Sequence, residues 1–319
     1  MNILLQTLII LVFLLLMSVV VLVVVHKRAL HKESTLYPAL GKLVEIDNKR
    51  FHVFVKGNNK KTIVFLAGHG TSSPTLDFKP LWSRLVSDFT IVVIERPGYG
   101  WSDSSASDKS IDTLLEHSRQ CLSMCNISGP YTLVAHSMSG LEALYWAQKY
   151  PLEVNAIIGL DPCVPDAVQL LPIPSTFKLR MMYWMAMIGV PRLMPKSQIK
   201  TTFPLLNLSE LDETEQQQYM HIFHRNGFSK DMLKEVYSLH ANATVVNNYD
   251  IPAFVPAYFF MSNEQNNNIL GWENAMTSYL SNFNTKHFVK LDTHHYVHYI
   301  HADFICSEIK RFMHENLPM

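Results

Sequence analysis

Tyr131-Thr132-Leu133-Val134-Ala135-His136-Ser137-Met138-Ser139-Gly140 is the stretch whose reading decides the fold. Thr132 to Ala135 is a brief apolar run of strand formers, and Leu141 to Tyr150 carries apolar residues at helical spacing, so a strand hands over to a helix at Ser137. A nucleophile on such a turn has backbone angles that crowd its neighbours, which requires small residues two positions before and two after. Ala135 and Ser139 meet that requirement and Gly140 extends it. The usual pattern is G-x-S-x-G, whereas this chain reads A-x-S-x-S; both glycines are replaced while the steric demand is kept. The plainer reading of the same serine is a cap at the helix N-terminus.

Outward from this turn the chain alternates strands with helices. Leu43 to Ile46 and Phe51 to Val55 flank Asp47-Asn48-Lys49 as the arms of a hairpin do. Thr62 to Leu66 reads as a buried, β-branched strand that ends in the turn-rich Ala67-Gly68-His69-Gly70-Thr71-Ser72-Ser73-Pro74. A helix over Leu76 to Ser87, a strand over Thr90 to Ile94, the loop Arg96-Pro97-Gly98-Tyr99-Gly100-Trp101-Ser102-Asp103 and a helix over Ile111 to Met124 come next. After the Ser137 turn and its helix comes a strand over Val154 to Leu160. This rhythm implies βαβ units on a parallel sheet. It stops between Pro165 and Tyr249, a stretch rich in Met, Leu and aromatic residues and broken by Pro172, Pro174, Pro191, Pro195 and Pro204. Helices around Glu210 to Arg225 and Lys230 to Asn242 mark this stretch as a helical insertion. Strand Phe254 to Met261, helix Leu270 to Phe283, strand Lys286 to Leu291 and helix Ala302 to Glu315 then resume the alternation.

Lys plus Arg balances Asp plus Glu at 27 each, with no basic block, which argues against a nucleic-acid partner. Cys121, Cys125, Cys163 and Cys306 form no CxxC pair or zinc-ligand spacing and read as free, mostly buried thiols. The N-terminus differs sharply. Ile3 to Val25 is interrupted only by Gln6, Thr7 and Ser18, and at about 1.5 Å per residue it exceeds the roughly 30 Å hydrocarbon layer. A basic start and a small-residue cleavage site, the marks of a secretory signal, are missing from it. Positive charge on its C-terminal flank, at Lys27, Arg28 and Lys32, places the rest of the chain on the cytoplasmic side. Sequons at Asn126, Asn207 and Asn242 would favour the opposite side if they were used.

A serine hydroxyl is a weak nucleophile at neutral pH, so the turn requires a histidine base and a carboxylate to orient it. His295, in Leu291-Asp292-Thr293-His294-His295-Tyr296-Val297-His298, stands after the last strand, and Asp161, in Ile158-Gly159-Leu160-Asp161-Pro162, stands after the strand that succeeds the nucleophile helix. Both positions fall at the C-terminal edge of the sheet, where Ser137 points. With LAGHG, ERPGYGWSD, AHSMSG and HHYVH in that order, residues 40 to 317 resemble the α/β-hydrolase superfamily. The resemblance implies a mostly parallel central sheet flanked by helices, with a helical cap between the sixth and seventh strands. It also implies an oxyanion hole made by the backbone amides of Met138 and His69. It leaves the acid open between Asp161 and Glu264, because the family places it after either the sixth or the seventh strand. The expected organisation is a transmembrane helix and basic flank over 1–28, a linker over 29–42, α/β core over 43–164, cap over 165–249 and the rest of the core over 250–319.

Other features have plainer readings. His294, His295, His298 and His301 have helical spacing suited to a metal, yet no companion carboxylate or cysteine set accompanies them, and no metal or cofactor is implied. Met181, Met182, Met185 and Met187 with Tyr183 and Trp184 suit either an acyl pocket or a packed cap core. Arg96 and Asp103 read as structural residues flanking a turn. The expected protein is a membrane-anchored serine hydrolase acting on an ester or related acyl bond of a small-molecule or lipid-like substrate. The alternatives are a proline iminopeptidase-like peptidase or carbon-carbon hydrolase on the same fold, and a non-catalytic binding scaffold. Epoxide hydrolases and haloalkane dehalogenases, by the same resemblance, use an aspartate at the place of Ser137.

Overall fold

A computed structural model describes residues 3–172 and 174–317; Met1, Asn2, Ile173, Pro318 and Met319, which fall within the expected segments, lie outside that description. The chain opens with α1 (Ile3–Leu36), then β1 (Lys42–Ile46), β2 (Lys49–Lys56), β3 (Thr62–Leu66), α2 (Pro74–Asp77), α3 (Lys79–Leu85) and β4 (Thr90–Ile94). Next come α4 (Ile111–Met124), β5 (Tyr131–His136), α5 (Ser139–Lys149) and β6 (Val154–Leu160). Between β6 and β7 (Ala257–Ser262) lie α6 (Pro165–Gln169), α7 (Thr176–Ile188), α8 (Lys196–Thr202), α9 (Glu213–Asn226) and α10 (Lys230–Asn247). The chain closes with α11 (Asn263–Asn268), α12 (Trp272–Ser281), β8 (Lys286–Leu291), α13 (Val297–Ile300) and α14 (Ala302–Asn316).

The eight strands form one sheet in the order β1-β2-β4-β3-β5-β6-β7-β8, antiparallel only where β2 meets β1 and β4. Asp47 and Asn48, both with positive φ, close the β1–β2 hairpin, the geometry that a two-residue turn between twisted strands requires. Strands β3, β4 and β5 are buried along their whole length, as strands covered by helices on both faces must be. One face packs Leu115, Leu141, Trp146 and Trp272 from α4, α5 and α12, and the other packs Leu81, Ile305, Ile309 and Phe312 from α3 and α14.

Three elements differ from the sequence reading. The stretch 29–36, expected as linker, continues α1, because Ala29, Leu30 and Glu33 lie partly buried on one face and Glu33 is bonded to Arg192 and His221. The helix ends just before Tyr37-Pro38, where a proline restricts the residue preceding it. The expected helix over Leu76 to Ser87 breaks at Phe78, since Pro80 offers no N–H to continue the ladder. β7 starts at Ala257 and not Phe254, because Pro252 and Pro256 precede it.

Candidate active site

The parallel register brings the candidate residues together. Ala135 pairs with Leu66 on one side and with Gly159 on the other, and His136 pairs with Leu160. Each strand therefore ends level with its neighbours, and the next residues, Ala67, Ser137 and Asp161, emerge side by side at the carboxyl edge of the sheet. Ser262 at the end of β7 pairs with Leu291 at the end of β8, which places the Asp292–Tyr296 loop beside them.

Ser137 has φ +54°, a left-handed conformation that costs a non-glycine residue about 1–2 kcal/mol and is held here by its surroundings. Its N–H donates to Leu160 O at 3.2 Å, and its carbonyl accepts from Gly140 N at 2.9 Å and Cys163 N at 2.8 Å. Ala135 and Ser139 are fully buried. The Ser139 hydroxyl donates to Leu66 O at 2.6 Å and also lies 2.9 Å from His136 O, so the turn accepts serine where glycine is usual. Gly140 is obligatory: a Cβ there would sit 2.5 Å from Cys163 O and 2.8 Å from Pro162 Cβ. Gly68 is equally constrained, with Ser137 Cβ 2.8 Å from where its own Cβ would be.

Asp161, also left-handed at φ +45°, is wholly buried. Its Oδ2 accepts from His295 Nδ1–H at 2.7 Å and from the Ser262 hydroxyl at 2.6 Å. Its Oδ1 accepts from Ser262 N–H at 3.3 Å and Trp272 Nε1–H at 3.4 Å. Glu264, the other candidate acid, accepts from the backbone N–H of His295 at 2.9 Å and so holds the loop, while Asp161 holds the ring. His136 packs its ring 4.7 Å from that of His295 and donates from Nε2 to His295 O at 3.2 Å. Burial and the neighbouring His295 and His298 hold His136 well below the ordinary histidine range, so it is neutral.

Neither the Met138 nor the His69 amide donates to another group among the described residues, which leaves both free at the turn. The loop carrying His69 is tied from below and above. Arg96 Nη2 donates to Ala67 O at 2.6 Å, a role beyond the turn-flanking one expected of it; Asp103 pairs with Arg50. Glu235, on α10, is buried 3.6 Å from His69 Nδ1 and accepts from the Tyr99 hydroxyl at 2.5 Å. Burial alone would raise the Glu235 carboxyl; the charge of Arg96 and the contacts with His69 and Tyr99 outweigh it and hold it below its ordinary value. Glu235, Ser262 and Trp272 escape sequence reasoning because none of them lies in a motif. Cys163, whose buried thiol is pushed up to about 12 chiefly by burial, donates its backbone N–H to Ser137 O.

Two other readings change. Met181, Met182, Trp184, Met185 and Met187 are exposed, forming neither an acyl pocket nor a packed core. Asn242 is buried, with its side chain bonded to Ile111 N and Lys109 O, so that sequon is closed in the folded protein. A cavity of about 720 Å³ lies away from Ser137, between the end of α1 and the helices near Arg192, Ile199 and His221.

Comparison with known proteins matches residues 61–302 to the family model for the alpha/beta hydrolase fold. Protein YbdG of Bacillus subtilis is 30% identical over 294 residues, which cover 90% of each chain. Among solved structures, an epoxide hydrolase of Bacillus megaterium superposes with a TM-score of 0.62 at 17% identity, covering 86% of this chain and 100% of its own. An enol-lactonase of Burkholderia xenovorans gives 0.60 at 16%, with the same coverage. At such identities these two show a shared fold.

Proposed function

The chain belongs to the α/β-hydrolase family, and from that premise we propose that it is a membrane-anchored serine hydrolase that cleaves an ester or related acyl bond. The observation that carries this reading is the 2.7 Å bond from His295 Nδ1 to buried Asp161, with Ser137 in a left-handed turn at the end of the neighbouring strand β5. With Nδ1 donating to the carboxylate, Nε2 is left as the acceptor, the tautomer that a general base requires. Ser137 Oγ attacks the acyl carbon as its proton passes to His295 Nε2. The Met138 and His69 amides receive the developing oxyanion, a donor of this kind being worth roughly 10² to 10³ in rate. His295 then protonates the leaving group, and water, activated by the same base, releases the acyl group from Ser137. No cofactor enters these steps.

The helix α1 contains an apolar window of mean hydropathy 3.6, none of it buried, long and apolar enough to span a membrane. That composition, with Lys27, Arg28 and Lys32 beyond it, supports a single-pass anchor and a cytoplasmic catalytic domain. A serine at the nucleophile position favours acyl transfer over epoxide opening, even though epoxide hydrolases share the fold. A fluorophosphonate probe tests the reading. Labelling of the wild-type chain, lost in Ser137→Ala, is the expected result; a folded wild-type chain that takes no label refutes it.

A further inference from the structure

From Met181 onward helix α7 is apolar on every side, yet only one side of it is covered by protein. Leu179 is buried and Tyr183 and Ala186 are partly buried, whereas Phe177, Trp184 and Met187 are 77%, 62% and 48% exposed. Phe177, Met181, Trp184 and Met185 recur at i, i+4, i+7 and i+8, a single stripe along the uncovered face. Lys178 and Arg180, both exposed, flank its first turn. A soluble surface does not leave such a stripe to water, and an aromatic and methionine face edged by basic side chains suits a bilayer interface.

The position of α7 names what covers it. Its C-terminal Gly189, with φ +90°, closes against His26, the first residue past the apolar run of α1; a Cβ at Gly189 would lie 2.6 Å from His26 Cβ. Arg192, just beyond, donates to His26 Nδ1 at 2.9 Å and to both oxygens of Glu33 at 2.7 Å. Val19, Leu22 and Val23, on the turns preceding His26, are partly covered, and α7 and α9 are the helices that pack on α1. Since α9 bonds α1 further along, at Glu33 through His221, and bonds Tyr37, just past α1, through Gln217, the helix beside the end of the span is α7.

We propose that α7 lies in the membrane interface beside the anchor, with Phe177, Met181, Trp184 and Met185 in the acyl layer and Lys178 and Arg180 at the headgroups. This rests on the membrane-anchored reading above. It gives the catalytic domain a second, monotopic contact with lipid, continuous with the spanning helix.

The tryptophans supply the test. Trp82, Trp101, Trp146 and Trp272 are buried, so Trp184 alone faces outward. The full chain is reconstituted in vesicles of phosphatidylcholine and phosphatidylglycerol, with and without brominated acyl chains, and its resistance to carbonate extraction is measured alongside. Quenching of tryptophan emission by brominated lipid, lost in the conservative Trp184→Phe variant, is expected. Absence of quenching in a chain that resists carbonate overturns the placement of α7 and leaves the anchor standing. Release by carbonate overturns the anchor, and the placement of α7 falls with it.

Discussion

Replacing Asp161 by asparagine should separate the two candidate acids by kinetics without unfolding the protein. All four groups around the Asp161 carboxylate are donors: His295 Nδ1 and the Ser262 hydroxyl at Oδ2, Ser262 N and Trp272 Nε1 at Oδ1. An asparagine brings one acceptor oxygen and one donor nitrogen. Placed with its oxygen at the Oδ1 site, it still receives Ser262 N and Trp272 Nε1, and its nitrogen then faces the Ser262 hydroxyl and His295. The hydroxyl can rotate to accept, and His295 satisfies the arrangement by moving its proton from Nδ1 to Nε2. That tautomer cannot take the serine proton. The expected loss is about 10⁴ in kcat, or roughly 5.4 kcal/mol of transition-state stabilisation, with a stability change under about 1.5 kcal/mol. In Glu264→Gln a side-chain carbonyl still accepts from the His295 amide, and only the charge-assisted part of the 2.9 Å bond is lost, which limits the fall to about tenfold. Fluorophosphonate labelling rates and acyl-ester turnover, read together with thermal unfolding, make the comparison. A loss under tenfold in Asp161→Asn, or equal losses in the two variants, would refute the assignment of Asp161.

Three further perturbations draw on the same geometry. Gly140→Ala drives a methyl against Cys163 O and Pro162; unfolding should show a loss of about 1–3 kcal/mol, and labelling should slow because the Ser137 and Asp161 turns are pushed apart. His136 is held well below its ordinary value, His298 falls to about 3 and His224 to about 4, burial being the largest cause in each. The unfolded chain therefore binds protons that the folded one refuses, and melting temperature should fall as pH drops from about 6.5 toward 3; a flat acid limb would contradict this. Asp77 works in the opposite sense: burial raises its carboxyl to about 7 despite bonds from Tyr299 and Tyr219, so its stabilising effect is full below about 3.8 and is lost as pH rises through 7. Asp77→Asn should flatten that loss of stability between pH 4 and 8 by a few kcal/mol, and an unchanged profile in a denaturant titration would count against it.

The sequence exposes what depends on short-range pattern. Strands β3, β4, β6 and β8 and helix α4 have the bounds expected of them, because β-branched runs and capped apolar periodicity are local signals. The places of Ser137, Asp161 and His295 at the carboxyl edge of the sheet are legible because each stands immediately after, or one turn beyond, a strand, whereas the roles proposed for them await the tests above. The choice between Asp161 and Glu264 is not, since it depends on which face of His295 each carboxylate meets, ring or main chain. Glu235 is hidden for the same reason: its contact with His69 joins α10 to a loop far earlier in the chain, and nothing in the residues around it marks that pairing. The α7 methionines mislead because composition reports apolarity without reporting what lies opposite.

On the membrane-anchored reading proposed above, the continuation of α1 past its apolar run makes the N-terminus a mast and not a tether. A flexible linker would let the hydrolase domain tumble relative to such an anchor, whereas a helix clamped by Arg192 and His221 through Glu33 fixes how the domain sits on the α1 axis. Each residue of an α-helix advances the phase by about 100°, so removing one residue between Lys27 and Lys32 would swing the domain about the α1 axis or tear Glu33 from Arg192. If α1 spans a membrane as proposed, this stiff continuation holds the hydrolase domain at a set height and tilt above the bilayer.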